Sequence, residues 1–177
     1  MDVPVQVLST EEVEHLLAHG DRDDPLGLRD VAVLATMFYA AATALEVSNL
    51  NLGDLQTRRQ QIVLRGADGM RRVDLEPELA QVLEEYKHSA RRLILAQHGS
   101  GEQQTQALFV GSRPRRIRVQ EVRQILGANV KGAGIDIDVN VNTLRLSRAW
   151  HLREAGRSPE SIQRFLGATS RSGRNVI

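Results

Sequence analysis

Apolar residues recur along this chain at two spacings, and the change from one to the other marks out its elements. Val13, Leu16 and Leu17 share one helical face, behind a capping box at Ser9-Thr10-Glu11-Glu12 and ahead of a stop at Gly20. A second helix opens at Asp24-Pro25, an acceptor side chain followed by a residue with preset φ and no amide to satisfy. Leu28, Val31, Leu34, Phe38 and Ala42 then fall on one face, and the run from Val31 to Ala44 is so uniformly apolar that it predicts a buried central helix. After a helical turn at Val47 to Leu50 the period shortens to that of a strand. Gln61-Ile62-Val63-Leu64 and Arg72-Val73-Asp74-Leu75 flank Gly66-Ala67-Asp68-Gly69, a pattern for a hairpin whose glycines take positive φ. A short third strand is expected within 54–59.

Helical spacing returns at Glu76-Pro77 and continues through Leu79, Val82, Leu83, Tyr86, Ala90, Leu93 and Ile94 to a stop near Gly99. A polar loop over 99–105 follows, then Ala107 to Val110, too short to assign, then a basic turn from Gly111 to Arg118. Val119, Val122, Ile125 and Leu126 predict a helix that ends around Gly132 to Gly134. The alternating stretch from Ile135 to Val141 leads to a helix over 143–155, and Ser158-Pro159 starts a last one that stops at Gly167. The fold class is therefore α+β, mainly α-helical with a small antiparallel sheet, in one domain over 1–177.

Composition narrows the chemistry more than it identifies it. Lys and Arg number 23 against 22 Asp and Glu, so any affinity for nucleic acid must come from where the charge sits. Cysteine is absent, which removes disulfides, thiol nucleophiles and thiolate metal sites and fits a reducing compartment. No basic, apolar leader opens the chain, and no apolar run reaches the roughly 20 residues of a membrane helix, so a cytoplasmic protein without a membrane partner is expected. Asp136-Ile137-Asp138 lacks a third ligand spaced with it, so the expectation is no metal and no small-molecule cofactor.

The last third carries a family resemblance. Thr143-Leu144-Arg145, the helix through His151-Leu152 to Gly156, and Phe165-Leu166-Gly167 resemble in spacing the His-x-Leu-Arg-His box and Leu-Gly-(His/Trp) box of the tyrosine recombinase (phage integrase) family. Leu8 to Val13, Pro25 to Asp30 and Thr43 to Leu50 follow the same order, so nearly the whole chain is similar to that family's catalytic domain, whose fold is then expected here. Members cleave DNA by attack of a tyrosine on a phosphodiester, helped without metal by two arginines, a lysine and His or Trp. The donors hold charge on the nonbridging oxygens during exchange.

At those positions this chain departs from the family. Glu46 stands for the first arginine, Gly66 for the lysine with Arg65 beside it, Asn142 and Leu146 for the two histidines, Ala168 for the His/Trp, and Ile177 for the tyrosine; Arg145 is kept. A carboxylate at 46 repels a phosphate by roughly 4 kcal/mol at about 4 Å and an effective dielectric near 20. The resemblance therefore implies a domain that does not cut or join DNA. An ion pair between Glu46 and Arg145 is expected in its pocket. Tyr39 and Tyr86 fall on apolar helix faces, Trp150 is expected in the core and His151 packed with a hydrogen bond, while Ser170 and Ser172 lack an activating base.

Charge placement supplies a surface. Arg113, Arg115, Arg116, Arg118 and Arg123 cluster in the basic turn and the helix after it, and Arg145, Arg148, Arg153, Arg157, Arg164 and Arg171 follow. In the family this turn and helix lie against DNA, which makes Arg113, Arg115, Arg116, Arg118, Arg123, Arg145 and Arg148 the candidates for DNA contact. The expected partners are duplex DNA, placing the protein at the nucleoid, and another recombinase subunit. Two alternatives stand beside this accessory role in recombination or integration: a protein-interaction module on the same scaffold, or a truncated piece of an active recombinase completed by another chain. The family's amino-terminal core-binding domain has no counterpart in these 177 residues.

Overall fold

A computed structural model describes residues 6–97 and 105–167. In order these form α1 (Thr10–Ala18), α2 (Pro25–Tyr39), α3 (Ala44–Asn49), β1 (Leu55–Gln56), β2 (Gln61–Gly66), β3 (Gly69–Asp74), α4 (Pro77–His88), α5 (Ala90–Ala96), α6 (Val119–Gly132), α7 (Val141–Glu154) and α8 (Pro159–Leu166). The caps sit where the sequence places them. Ser9 and Glu12 form their reciprocal box, Asp24 accepts from the amide of Gly27, and Ser158 accepts from that of Ser161.

Helix α2 is the axis of the fold. Every residue from Val31 to Phe38 is buried, and α1, α3, α4, α5, α6 and α7 all pack on it, which is why its sequence is apolar all round. The sheet has the order β1-β2-β3, antiparallel throughout, with Ile62 opposite Val73 and Gly66 opposite Gly69 across a two-residue turn. β2 is buried at Ile62, Val63 and Leu64, whereas β3 is mostly exposed. No helix among the described residues is long and apolar enough to cross a membrane.

Three local expectations are corrected. Helix α2 stops at Tyr39 although the apolar run continues, because Ala41 takes φ 44 and turns the chain towards the cap of α3 at Thr43. The helix expected from 77 onward is two helices broken at Ser89, whose hydroxyl donates to the Glu85 carbonyl at 2.6 Å while its own backbone leaves the helical region. Gly69 alone of the two turn glycines has positive φ. Residues 135–140 form no strand. The buried segment from Ala107 to Val110 meets the rest of the backbone only at isolated bridges, Asn51 to Ala107 and Val110 to Arg116. Its free carbonyls go instead to Arg91, which donates to those of Thr105, Ala107 and Leu108 at 2.7–3.1 Å, and the Val110 amide donates to the Tyr86 hydroxyl at 3.1 Å.

A self-neutralised cleft beside a basic face

The cap of α3 decides what Glu46 can do. Thr43 Oγ1 accepts from the Glu46 amide at 3.1 Å, and Glu46 Oε2 accepts from the Thr43 amide at 2.7 Å, folding the carboxylate back over the start of its own helix. There it meets Arg71 of β3 in a two-point ion pair, Nε to Oε1 at 2.8 Å and Nη2 to Oε2 at 3.0 Å. Arg71 also donates to the carbonyls of Phe165 at 2.5 Å, Ala40 at 3.1 Å and Ala41 at 3.0 Å. Arg145 of α7 stands 3.7 Å from Glu46 and donates to the carbonyls of Ala41 and, at 3.0 Å, of Leu166.

The expected contact between Glu46 and Arg145 is thus present but secondary; Arg71 holds both oxygens. Sequence reasoning passed over Arg71, yet a signal existed. On β3 it lies two residues from the buried Val73, so strand alternation aims it inward, and an inward arginine requires a partner. The left-handed backbone at Ala41 turns two carbonyls towards the guanidinium groups, an arrangement that leaves no trace in residue type.

Electrostatics follow from this packing. Burial works against the Glu46 charge, but the hydrogen bonds and charge of Arg71, the Thr43 amide and Arg145 outweigh it, so the carboxyl titrates below its ordinary value. Burial lowers the pKa of Arg145, and the neighbouring Arg71 lowers it further against the pull of Glu46. Gly66 fits the same arrangement. A Cβ there would lie 3.1 Å from Glu46 Cγ, so a longer side chain at this position would press on the carboxylate. The cleft in front has a volume of about 450 Å³, and its rim carries the exposed Leu45 and Met70.

The arginines separate into two groups. Arg113, Arg118 and Arg123 are exposed on the basic turn and α6. Arg115 pairs with Glu121 at 2.9 Å, and Arg116 is spent on the end of α3, donating to the carbonyls of Ser48 and Leu50 and, at 2.5 Å, to Asn51 Oδ1. Arg148 is 9% exposed, pairs with Glu76 and stacks over the rings of Phe38 and Tyr39 at 5.5 and 5.7 Å. The guanidinium groups of Arg116, Arg145 and Arg148 are thus engaged within the fold, whereas those of Arg113, Arg118 and Arg123 face solvent.

The remaining positions fall as follows. Asn142 is exposed in the first turn of α7 and lines a neighbouring groove, while Leu146 is half-buried. Ala168, Ser170, Arg171, Ser172 and Ile177 lie outside the described residues. His151 packs edge-on to Phe38 with Nε2 2.8 Å from the Leu8 carbonyl. Trp150, expected in the core, is 38% exposed, since α7 turns Ala149 and Leu152 inward and carries position 150 round to solvent. Tyr86 is buried and its hydroxyl is pushed up to about 12 by burial; Tyr39 is half-buried and raised for the same reason. Burial thus opposes formation of the phenolate at both.

The model of the phage integrase family matches residues 6–173. Tyrosine recombinase XerD of Mycobacterium tuberculosis is 35% identical over 168 residues, covering 92% of this chain and 53% of the relative. Tyrosine recombinase XerC of Pelotomaculum thermopropionicum is 30% identical over 170 residues, covering 96% and 55%. The chain thus spans about half the length of these curated relatives. Among solved structures, XerA recombinase superposes with a TM-score of 0.81 at 24% identity, over 98% of this chain and 60% of that one. XerH site-specific recombinase, bound to its palindromic difH substrate after cleavage, gives 0.79 at 18%, over 99% and 50%. The fold is that of the recombinase catalytic domains.

Proposed function

The chain belongs to the phage integrase family, and from that membership we propose that it is a non-cutting member, holding duplex DNA in an accessory role in recombination or integration. One observation carries the reading: the cations that would receive a phosphate in the cleft already hold a carboxylate of the same chain. Glu46 saturates Arg71 at two points, and Arg145 is committed to backbone carbonyls, so the buried cations of the cleft have their donors engaged, and the positive charge left in its lining is that of the exposed Arg164. DNA is instead met by the exposed Arg113, Arg118 and Arg123, whose charges the fold leaves to solvent.

A second reading has its own support. The exposed Leu45 and Met70 at the rim of the cleft suit a protein partner, a recombinase subunit included, better than a phosphate backbone.

Retention of a random duplex in a gel-shift salt series tests the first reading, run beside denaturing gels of the protein with nicked duplex. Three phosphate contacts give a slope of log K against log salt of roughly −2.7, so affinity should fall roughly 40-fold between 50 and 200 mM salt. No complex should survive denaturant. A covalent adduct would overturn the non-cutting assignment, and absence of retention at 50 mM would remove DNA as the partner.

A further inference from the structure

We propose that α8 is a latch over the cleft, docking and releasing as one unit while the rest of the domain stays folded, so that two donors of the cleft are masked only while it is docked. The packing is divided at this helix. Among the described residues, Ile162 and Leu166 of α8 form a cluster of their own with Ala41, Ala149 and Leu152, separate from the main core, and of α8 only the half-buried Phe165 packs against both. α7 is anchored on each side of that division, through Leu144 in the main core and through Ala149 and Leu152 in the smaller cluster, so it keeps its place when α8 leaves.

α8 has eight residues, too few to be helical in water by itself, so undocking and loss of the helix are one event. Cavities border it on two sides. The cleft reaches Arg164 and Leu166, and a second, small cavity is lined by Ile162 and Phe165 together with Asp74 and Glu76. Gly156, at φ 83, joins it to α7 through the exposed Arg157 and Ser158.

The catch is at the other end. The last carbonyls of a helix have no partner within it. Arg71 Nη1 donates to that of Phe165 at 2.5 Å and Arg145 Nη2 to that of Leu166 at 3.0 Å, positive groups at the negative end of the helix. Glu46 stands against both guanidinium groups, which also hold the carbonyl of Ala41, the left-handed residue that belongs to the cluster beneath α8. The turn at Ala41, the ion pair and the end of α8 therefore fix one another. Release of α8 returns to the cleft the two donors that the carbonyls of Phe165 and Leu166 hold. The latch rests on this packing and not on DNA, so loss of retention in the gel shift would leave it standing.

Native-state hydrogen exchange over a urea series tests the latch. The amides of 163–166 should exchange roughly tenfold or more faster than those of 33–37 in α2, with a weaker dependence on urea, because opening α8 exposes less surface than unfolding the domain. Val82→Ala, in the main core, should speed the α2 amides about tenfold and leave those of α8 unchanged, since its contacts survive the opening of α8. A thiol reads the floor directly. The chain has no cysteine, so Ala149→Cys, buried beside Ile162 and Leu166, should react with a thiol reagent in the native protein at the rate set by α8 opening, and adding Ile162→Ala should speed that reaction roughly tenfold or more. One urea dependence for both helices, equal acceleration of both by Val82→Ala, or labelling of Ala149→Cys only on global unfolding would overturn the latch. Should Val82→Ala fail to fold, the urea dependence of the unaltered protein decides by itself.

Discussion

Replacement of Arg71 by methionine should lower the melting temperature by roughly 6–20 °C. The substitution keeps the apolar stem and removes the group that holds the Glu46 carboxylate at two points and the carbonyls of Ala40, Ala41 and Phe165. Breaking a buried pair strands the surviving charge, at a cost of about 3–5 kcal/mol, and each kcal/mol moves a domain of this size by about 2–4 °C. Arg145, 3.7 Å from Glu46 and bound to two carbonyls, is too committed to compensate. The double variant Glu46→Leu, Arg71→Met recovers the part due to the stranded carboxylate but not the part due to the three carbonyls. A melting temperature for Arg71→Met within 2 °C of the unaltered protein would show that the cluster is not what holds α2, β3 and α8 together.

Acid should separate these proteins further. In the unaltered protein the Glu46 pKa is depressed, so its stabilising contribution is complete above the ordinary value of 4.5 and is lost as pH falls through the lower folded value. Removing Arg71 takes away the main opposition to burial, which raises the folded pKa above 4.5 and reverses the sign. The deficit of Arg71→Met is then largest near neutrality and narrows as the carboxyl takes up a proton. Thermal melts between pH 7 and pH 4 measure this directly, and a deficit that stays constant over that interval contradicts the assignment of Glu46 as the stranded group.

The parts of the fold that were legible in the sequence are those fixed by neighbours along the chain. Ser9 with Glu12, Asp24 with Pro25, and Ser158 with Pro159 announce helix starts because the acceptor and the amide it serves lie within three residues. The hairpin is legible for the same reason. Illegible features were settled by residues far apart in sequence. The apolar run past Tyr39 gives no hint that α2 ends there, since the turn at Ala41 serves carbonyls that Arg71 and Arg145 reach from 30 and 104 residues away. The groups missing from the pocket point to Arg145 as the partner of Glu46, whereas the closer cation comes from the inward face of β3, 25 residues along the chain. A cluster of arginines in a turn has no period, so nothing local distinguishes Arg113 and Arg118, which face solvent, from Arg116, which caps α3.

That last distinction makes the DNA reading testable at the level of single side chains. The triple variant Arg113→Ala, Arg118→Ala, Arg123→Ala should lose nearly all salt dependence, the slope falling by about 0.9 for each phosphate contact removed. Extrapolated from 1 M salt, where the three contacts contribute little, that amounts to roughly a three-thousandfold loss of affinity at 50 mM. Arg115→Ala with Arg116→Ala, chosen from the same stretch of sequence, should behave differently. It frees Glu121 and uncaps the carbonyls of Ser48 and Leu50, so its melting temperature drops while its salt slope remains that of the unaltered protein. Arg148→Ala should act likewise, because its charge is spent on Glu76 and on the rings of Phe38 and Tyr39. Identical slopes for the triple and double variants would mean that exposure does not decide which arginines meet the phosphates, and the face built from Arg113, Arg118 and Arg123 would have to be given up.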